Sequence, residues 1–508
     1  MNYGFCNQCK GKVPVSHVES EGRIYLTKEC VQCGATQTLV SSNAEVWRKK
    51  RFYAGYKDED EQGCHLDCLS CHSNQNPMMV FVDVTNRCNL NCTICVANIQ
   101  AMGFSFEPPL AYFDKVFAYL ANLSPRPSVK FFGGEPTVRD DLIDIINMAH
   151  SRGLSTNVVT NGIRLADEKY CERLLATGTK PNISFDGRDE GIYRKLRGTG
   201  RCYHLKLQAL ENIRKHTTRK ITLMCVVGKG ISDHLIADLV QFCHDNTDFI
   251  NALQFLPIIP TWEPGTVDAE ATTIEDTEKI VEEAIPGVEF VPAGMLNFQT
   301  FANYFSGQRT TFGDAHPNCE SVTKLISNGT SFVPPSRYLR RPLLEILGEL
   351  RRKDRRLGEK LQAFHKSAAG RMLGKVGLDK QIAQAVILIG AANTIRKYGN
   401  FSEILGPHRL SKFLRILLGV VTGKKLKEVL AGNTRLHNTL TMIVLPFGEL
   451  MELESARLQR CPAAFVYENP DTRQVGTMST CAWLLYKDKL LRKTTDHYGL
   501  AQAARISE

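Results

Sequence analysis

The chain has 508 residues, 43% of them hydrophobic and 23% charged, and a net charge of +10 from 63 Lys and Arg against 53 Asp and Glu. This is globular composition on a chain long enough for several domains with their own cores, which excludes a disordered or fibrous protein. No stretch reaches the ~18 continuous apolar residues of a membrane span. The start, MNYGFCNQCK, has no apolar signal core, so cytoplasmic residence is expected and 17 cysteines point to metal sites rather than disulfides. The basic excess suits an anionic surface and leaves peripheral membrane contact open. No aromatic-basic motif points to nucleic acid.

Residues 1–50 carry Cys6-x2-Cys9 and Cys30-x2-Cys33. Two such knuckles about twenty residues apart make a tetrahedral four-thiolate site for Zn, or for Fe in a rubredoxin-like version. Four thiolates close the coordination sphere, so the expected role is structural. Residues 51–77 hold a triplet, Cys64, Cys68 and Cys71, spaced Cys-x3-Cys-x2-Cys.

The same spacing recurs in Cys88, Cys92 and Cys95, directly after the strand-like run MMVFVDVTN at 78–86. Three thiolates this close can bind three irons of a [4Fe–4S] cube and leave the fourth iron open to a small molecule. Only this second triplet opens a longer pattern, and the first is better read as an auxiliary iron–sulfur segment.

Over residues 78–262, strand-like runs at 78–86, 129–132, 154–161, 181–186, 220–227 and 250–257 alternate with amphipathic stretches. Six βα units predict a parallel sheet with outer helices, an α/β fold curled right-handed into a partial (β/α)6 TIM-like barrel. The active site of such a barrel lies at the C-terminal ends of its strands. Gly133-Gly134-Glu135, Thr160, Asn161 and Ser184 fall at such ends, with Arg197 shortly after.

Residues 263–445 read as a connecting and basic helical region. A connecting stretch ends in His316-Pro317-Asn318-Cys319, and helix formers with many basic residues follow. The stretch 344–375 is a solvated helical face or a basic amphipathic helix on anionic lipid. The apolar runs 382–391 and 413–421 are too short to span a bilayer and read as buried helices or the lining of a greasy tunnel. Residues 446–508 form a C-terminal auxiliary-cluster region with Cys461 and Cys481. Cys171, Cys202, Cys225 and Cys243 have no partners at metal spacing and read as ordinary buried cysteines.

The Cys88/Cys92/Cys95 run, followed one βα unit later by Gly133-Gly134-Glu135, resembles the cluster and ligand motifs of radical S-adenosylmethionine (SAM) enzymes. The wider order resembles the tetraether lipid synthase-like group of that superfamily. That order is a knuckle pair, two cysteine triplets around a strand, a late His-Pro-x-Cys, then Arg460-Cys461 and Thr480-Cys481. Some members of the group carry an older label as dihydro-hydroxymethylpterin methyltransferases. The resemblance implies that Cys88, Cys92 and Cys95 hold a catalytic [4Fe–4S] cluster whose open iron chelates SAM. It implies that Gly133, Gly134 and Glu135 hold the SAM ammonium, with Thr160 and Asn161 near the ligand. Ser184 would meet the ribose, and Arg197 would pair with the SAM carboxylate. Cys64, Cys68, Cys71, Cys319, Cys461 and Cys481 match auxiliary-cluster cysteines. The implied reaction is reductive SAM cleavage to a 5′-deoxyadenosyl radical, fed by a reduced ferredoxin- or flavodoxin-type donor. The radical would take hydrogen from a lipid acyl chain for carbon–carbon coupling. Radical methylation of a pterin-like heterocycle, or modification of a peptide, are the alternatives.

Overall fold

A computed structural model describes residues 1–57, 63–69, 77–258, 272–306, 315–375, 379–421, 429, 432–434, 438–448 and 450–499. The N-terminus is an antiparallel ribbon, β1 (Tyr3–Phe5), β2 (Lys12–Ser20), β3 (Arg23–Cys30) and β4 (Gly34–Ser41), followed by α1 (Ala44–Ala54). Its few apolar residues, Val13, Val15 and Leu26, pack around Cys6. So small a core is typical of a fold that relies on a metal. Polar contacts dock this part onto the rest: among them, Asn2 donates to Glu454 at 2.6 Å, and buried Lys50 of α1 pairs with Glu275 at 2.9 Å and Glu278 at 2.8 Å.

Six parallel strands follow in sequential order: β5 (Met79–Thr85), β6 (Ser128–Gly133), β7 (Thr156–Thr160), β8 (Lys180–Ser184), β9 (Ile221–Val227) and β10 (Ile250–Pro257). Between them run α2 (Leu110–Ala121), α3 (Leu142–Ser151), α4 (Glu168–Ala176), α5 (Glu190–Arg197), α6 (Arg201–His216) and α7 (Ile236–Asp245). The alternation in VFVDV sorts the faces. Val80, Val82 and Val84 pack outward on Phe113, Val116 and Phe117 of α2, while Met79 and Phe81 join a separate core on the other face. The fold is thus the expected α/β sheet of βα units. Helix α5 is an addition that strand-to-strand spacing does not reveal.

The later chain extends the sheet at both edges. The connecting stretch contains α8 (Ile274–Ala284), started by a Thr273/Asp276 capping box, and strands β11 (Val291–Pro292), β12 (Ser321–Ser327) and β13 (Phe332–Val333). Strand β14 (Thr439–Val444) pairs parallel with β10 and antiparallel with β12. At the other edge β15 (Ala463–Glu468) pairs parallel with β5, and β16 (Val475–Ser479) pairs antiparallel with β15. Between these strands lie the expected helices, Leu343–Lys366, Ala368–Lys375, Asp379–Tyr398 and Arg409–Val421. The C-terminal helix Thr480–His497 is clamped to the barrel, since Trp483 Nε1 and Lys487 Nζ both donate to buried Asp83 of β5 at 2.8 Å.

Candidate active site

The C-terminal ends of the strands surround an open cavity. Its lining includes Cys88, Cys92, Cys95, Gly133, Gly134, Glu135, Thr160, Asn161, Ser184 and Arg197. All ten residues singled out for one site on sequence grounds therefore face one space.

Three elements pin the cysteine loop. From the end of β6, Gly134 N–H donates to Thr85 O and Glu135 N–H to Arg87 O, each at 2.8 Å. From the end of β7, Asn161 Nδ2 donates to Asn89 Oδ1 at 2.7 Å. From the end of α5, Lys195 O accepts from Thr93 Oγ1 at 2.9 Å, and Gly198, at φ +76°, passes so close that a Cβ would lie 2.7 Å from Asn91 O. The Gly-Gly pair serves this packing. A Cβ on Gly133 would lie 2.0 Å from Thr85 O, and one on Gly134 2.2 Å from Arg87 O. The close approach that paired glycines permit is thus to the cysteine loop itself.

Glu135 is buried and draws four donors to one carboxylate. Thr137 N–H at 3.0 Å, Thr137 Oγ1 at 2.6 Å and Thr160 Oγ1 at 2.6 Å reach Oε1, and Asn161 N–H reaches Oε2 at 2.6 Å. It ties the ends of β6 and β7 together while facing the cavity.

Arg197 and Asp186 form a buried bidentate pair, Nε and Nη2 each 2.8 Å from a carboxylate oxygen. Burial pushes the Asp186 carboxyl up, and the Arg197 charge and hydrogen bonds outweigh it, so the net shift is downward. Arg197 also reaches Cys92. Its fork is therefore committed largely to Asp186, where the sequence suggested a ligand carboxylate as its partner. Lys206 of α6 is fully buried, donates to Asn161 O at 2.6 Å and also bonds Ser184 O. Burial, with Arg197 nearby, lowers its pKa to about 8. Sequence reading missed Asp186 and Lys206. The available signals were an Asp closing the strand-end run Ile183-Ser184-Phe185-Asp186, and a Lys on the same helix face as Cys202, Ala209 and Ile213.

The donor set fits an iron–sulfur cube. Three thiols on one loop line the cavity, and no fourth Cys or His does among the described residues, so one iron would face the space beside Glu135 and Asn161. Burial, with Glu135 adding to it, pushes the Cys88 thiol up to about 12. Metal binding, not local charge, is what would ionise it.

Elsewhere the Sγ atoms of Cys6, Cys9, Cys30 and Cys33 lie within 4.8 Å of one another, a ready four-thiolate site. Backbone N–H groups of the first knuckle, at Cys9 and Gln8, hold the Cys6 thiol down to about 6. Cys319, just before β12, and Cys461 and Cys481, flanking β15 and β16, come from opposite edges of the sheet, yet Cys461 feels the charge of both Cys319 and Cys481, and Cys319 that of Cys481. Cys64, Cys68 and Cys481 each pack against the core that includes Met79, Phe465 and Trp483. Cys71 lies outside the described residues. Cys171, Cys202, Cys225 and Cys243 are buried, as expected.

A parallel sheet of βα units with a three-cysteine loop after β5 and Glu135 beside that loop defines a class able to hold an iron–sulfur cluster at its strand ends. Residues 82–243 match a family model described as the radical SAM superfamily, and residues 3–42 match one described as the HMPTM N-terminal zinc ribbon domain. Residues 82–243 are thus a radical SAM domain behind a zinc ribbon, as in a radical SAM enzyme, a family that implies a [4Fe–4S] cluster and SAM. It is 26% identical to the 7,8-dihydro-6-hydroxymethylpterin dimethyltransferase of Methanocaldococcus jannaschii, over 92% of this chain and 90% of that one. The PqqA peptide cyclase of Bradyrhizobium diazoefficiens is 29% identical, over 33% of this chain and 44% of its own length. Among solved structures, native anSMEcpe with bound AdoMet and Cp18Cys peptide covers 47% of this chain and 69% of its own, at 18% identity and a TM-score of 0.34. Among the described residues no helix is long and apolar enough to cross a membrane.

Proposed function

We propose that the protein takes hydrogen from an unactivated C–H bond of a lipid acyl chain, with carbon–carbon bond formation as the outcome. One observation carries this reading. Away from the cysteine loop the cavity is lined by Met224, Val226, Leu256, Pro257, Ile258 and Phe447, without a charged side chain among them. Of the polar groups that face it, Glu135, Thr160, Asn161 and Arg197 are already engaged within the protein. Such a wall suits methylene groups and leaves the ring nitrogens of a heterocycle without partners.

In this reading Cys88, Cys92 and Cys95 hold the cluster, and Glu135, with the strand ends carrying Thr160, Asn161 and Ser184, positions SAM. Reduced by a ferredoxin- or flavodoxin-type donor, the bound cluster and SAM supply a 5′-deoxyadenosyl radical. The chain's own residues fix the loop, orient the ligand and exclude water. Each new carbon–carbon bond requires one hydrogen from each of two carbons, and both leave as 5′-deoxyadenosine. Cys319, Cys461 and Cys481 are proposed ligands of an auxiliary cluster, a reading supported by the charge effect of Cys319 and Cys481 on Cys461.

A second reading is methylation of a pterin-like heterocycle, supported by the similarity across 92% of the chain to a protein named for that substrate class. Deuterium transfer separates the two. The reconstituted enzyme would be given SAM, reductant and a lipid with perdeuterated acyl chains. Label appearing in 5′-deoxyadenosine is the expected result. Unlabelled 5′-deoxyadenosine, with yield rising on addition of a dihydropterin instead, would overturn the lipid reading.

A further inference from the structure

Most of the chain's excess positive charge and half of the exposed large apolar side chains among the described residues sit on the same helices. Residues 343–421 hold 15 Lys and Arg against six Asp and Glu, an excess nearly equal to the net +10 of the whole chain. The basic helix Leu343–Lys366 is not the outward-facing piece. It buries Leu344 and Leu347 beside Val291 and Met295, and Leu361 against Ala383 and Ile387.

The two apolar helices behave differently from buried ones. Asp379–Tyr398 packs inward through Ala383 and Ile387 and turns Ile382, Val386 and Ile389 outward, with Ile389 61% exposed. Arg409–Val421 presents Leu410, Leu414 and Leu418, spaced i, i+4, i+8 on one face and 75%, 56% and 65% exposed. Arg409 and Arg415 are exposed beside them and Lys412 is half-buried. Met372 stands outward from Ala368–Lys375. Single exposed leucines are ordinary, but a leucine stripe bordered by arginines marks a docking face.

We infer that this helical layer seats the protein on an anionic lipid bilayer. Leu410, Leu414 and Leu418 enter the acyl boundary, while the exposed Arg409 and Arg415 meet headgroup phosphates. Charge complementarity selects this occupant. A second copy could cover the leucines only by bringing together two surfaces of the same strong positive sign. A 13-residue helix, about 20 Å long, fits in the interface plane and does not span it. The inference goes beyond the substrate reading, because it concerns where the protein docks, whatever the cavity accepts.

The test is co-sedimentation of the full-length reconstituted protein with phosphatidylcholine vesicles, with and without phosphatidylglycerol. The protein is expected to pellet with the anionic vesicles, and to be released by high salt. The triple variant Leu410→Ser/Leu414→Ser/Leu418→Ser and the double variant Arg409→Glu/Arg415→Glu should each weaken binding about tenfold or more. Their circular dichroism and their SAM cleavage in the absence of vesicles should match wild type. Wild-type protein remaining in the supernatant, or equal binding by the leucine variant, would overturn the inference. So would a wild-type dimer that this variant converts to monomer while vesicle binding is absent, which would assign the stripe to self-association.

Discussion

Glu135 gathers donors from Thr137, Thr160 and Asn161, and its neighbour Gly134 leans on the cysteine loop without room for a methyl group. Gly134→Ala should therefore displace the loop. The expected result is loss of the SAM-binding cluster's iron with the ribbon metal retained, read by metal analysis of the reconstituted variant. Asp186→Asn leaves the Arg197 guanidinium buried without its counter-charge, which costs about 3–5 kcal/mol. Urea unfolding against wild type measures it, and an unchanged midpoint would remove Asp186 from this role. The first group of residues was legible because cysteine spacing and glycines at strand ends have no cheaper explanation. Asp186 and Lys206 were not, because an isolated Asp or Lys in sequence is most often a solvated one. Only the fold shows that Lys206 occupies the buried face of α6.

The six parallel strands were equally legible, since their apolar runs recur with helices between them. Strands β14, β15 and β16 were not. TLTMIV and AAFVYE are short apolar runs that fit a buried helix as well as a strand, and their partners lie hundreds of residues away. The tie between β5 and the helix Thr480–His497 is likewise long-range. Asp83→Ala strands Lys487 as an unpaired buried charge, and a loss of about 3–5 kcal/mol in thermal or denaturant unfolding is expected. Lys130 of β6 gives a pH signature. Burial lowers its pKa from 10.5 to about 8, against the pull of Glu320. Between those values the unfolded chain binds more protons than the folded one, so Lys130 makes stability rise with pH from about 8 to 10.5. Lys130→Met should flatten that rise, measured by denaturation at both ends of the window.

At the scale of the whole molecule, distant parts of the chain converge on one barrel. The ribbon docks through Asn2 and the following helix α1 through Lys50, and the late strands extend both sides of the sheet. Cys9→Ser should cost the ribbon its metal and lower the melting temperature, because the ribbon's core is too small to fold unaided. SAM cleavage should persist in that variant, since the cysteine loop is pinned by β6, β7 and α5 and not by the ribbon. The central claim is that one cavity holds both the cluster and SAM, and 5′-deoxyadenosine formation tests it most directly. Anaerobically reconstituted wild-type protein with SAM and a strong reductant should form 5′-deoxyadenosine, and Cys88→Ala should form none. No product from wild-type protein with a full complement of iron, or equal product from Cys88→Ala, would contradict the account.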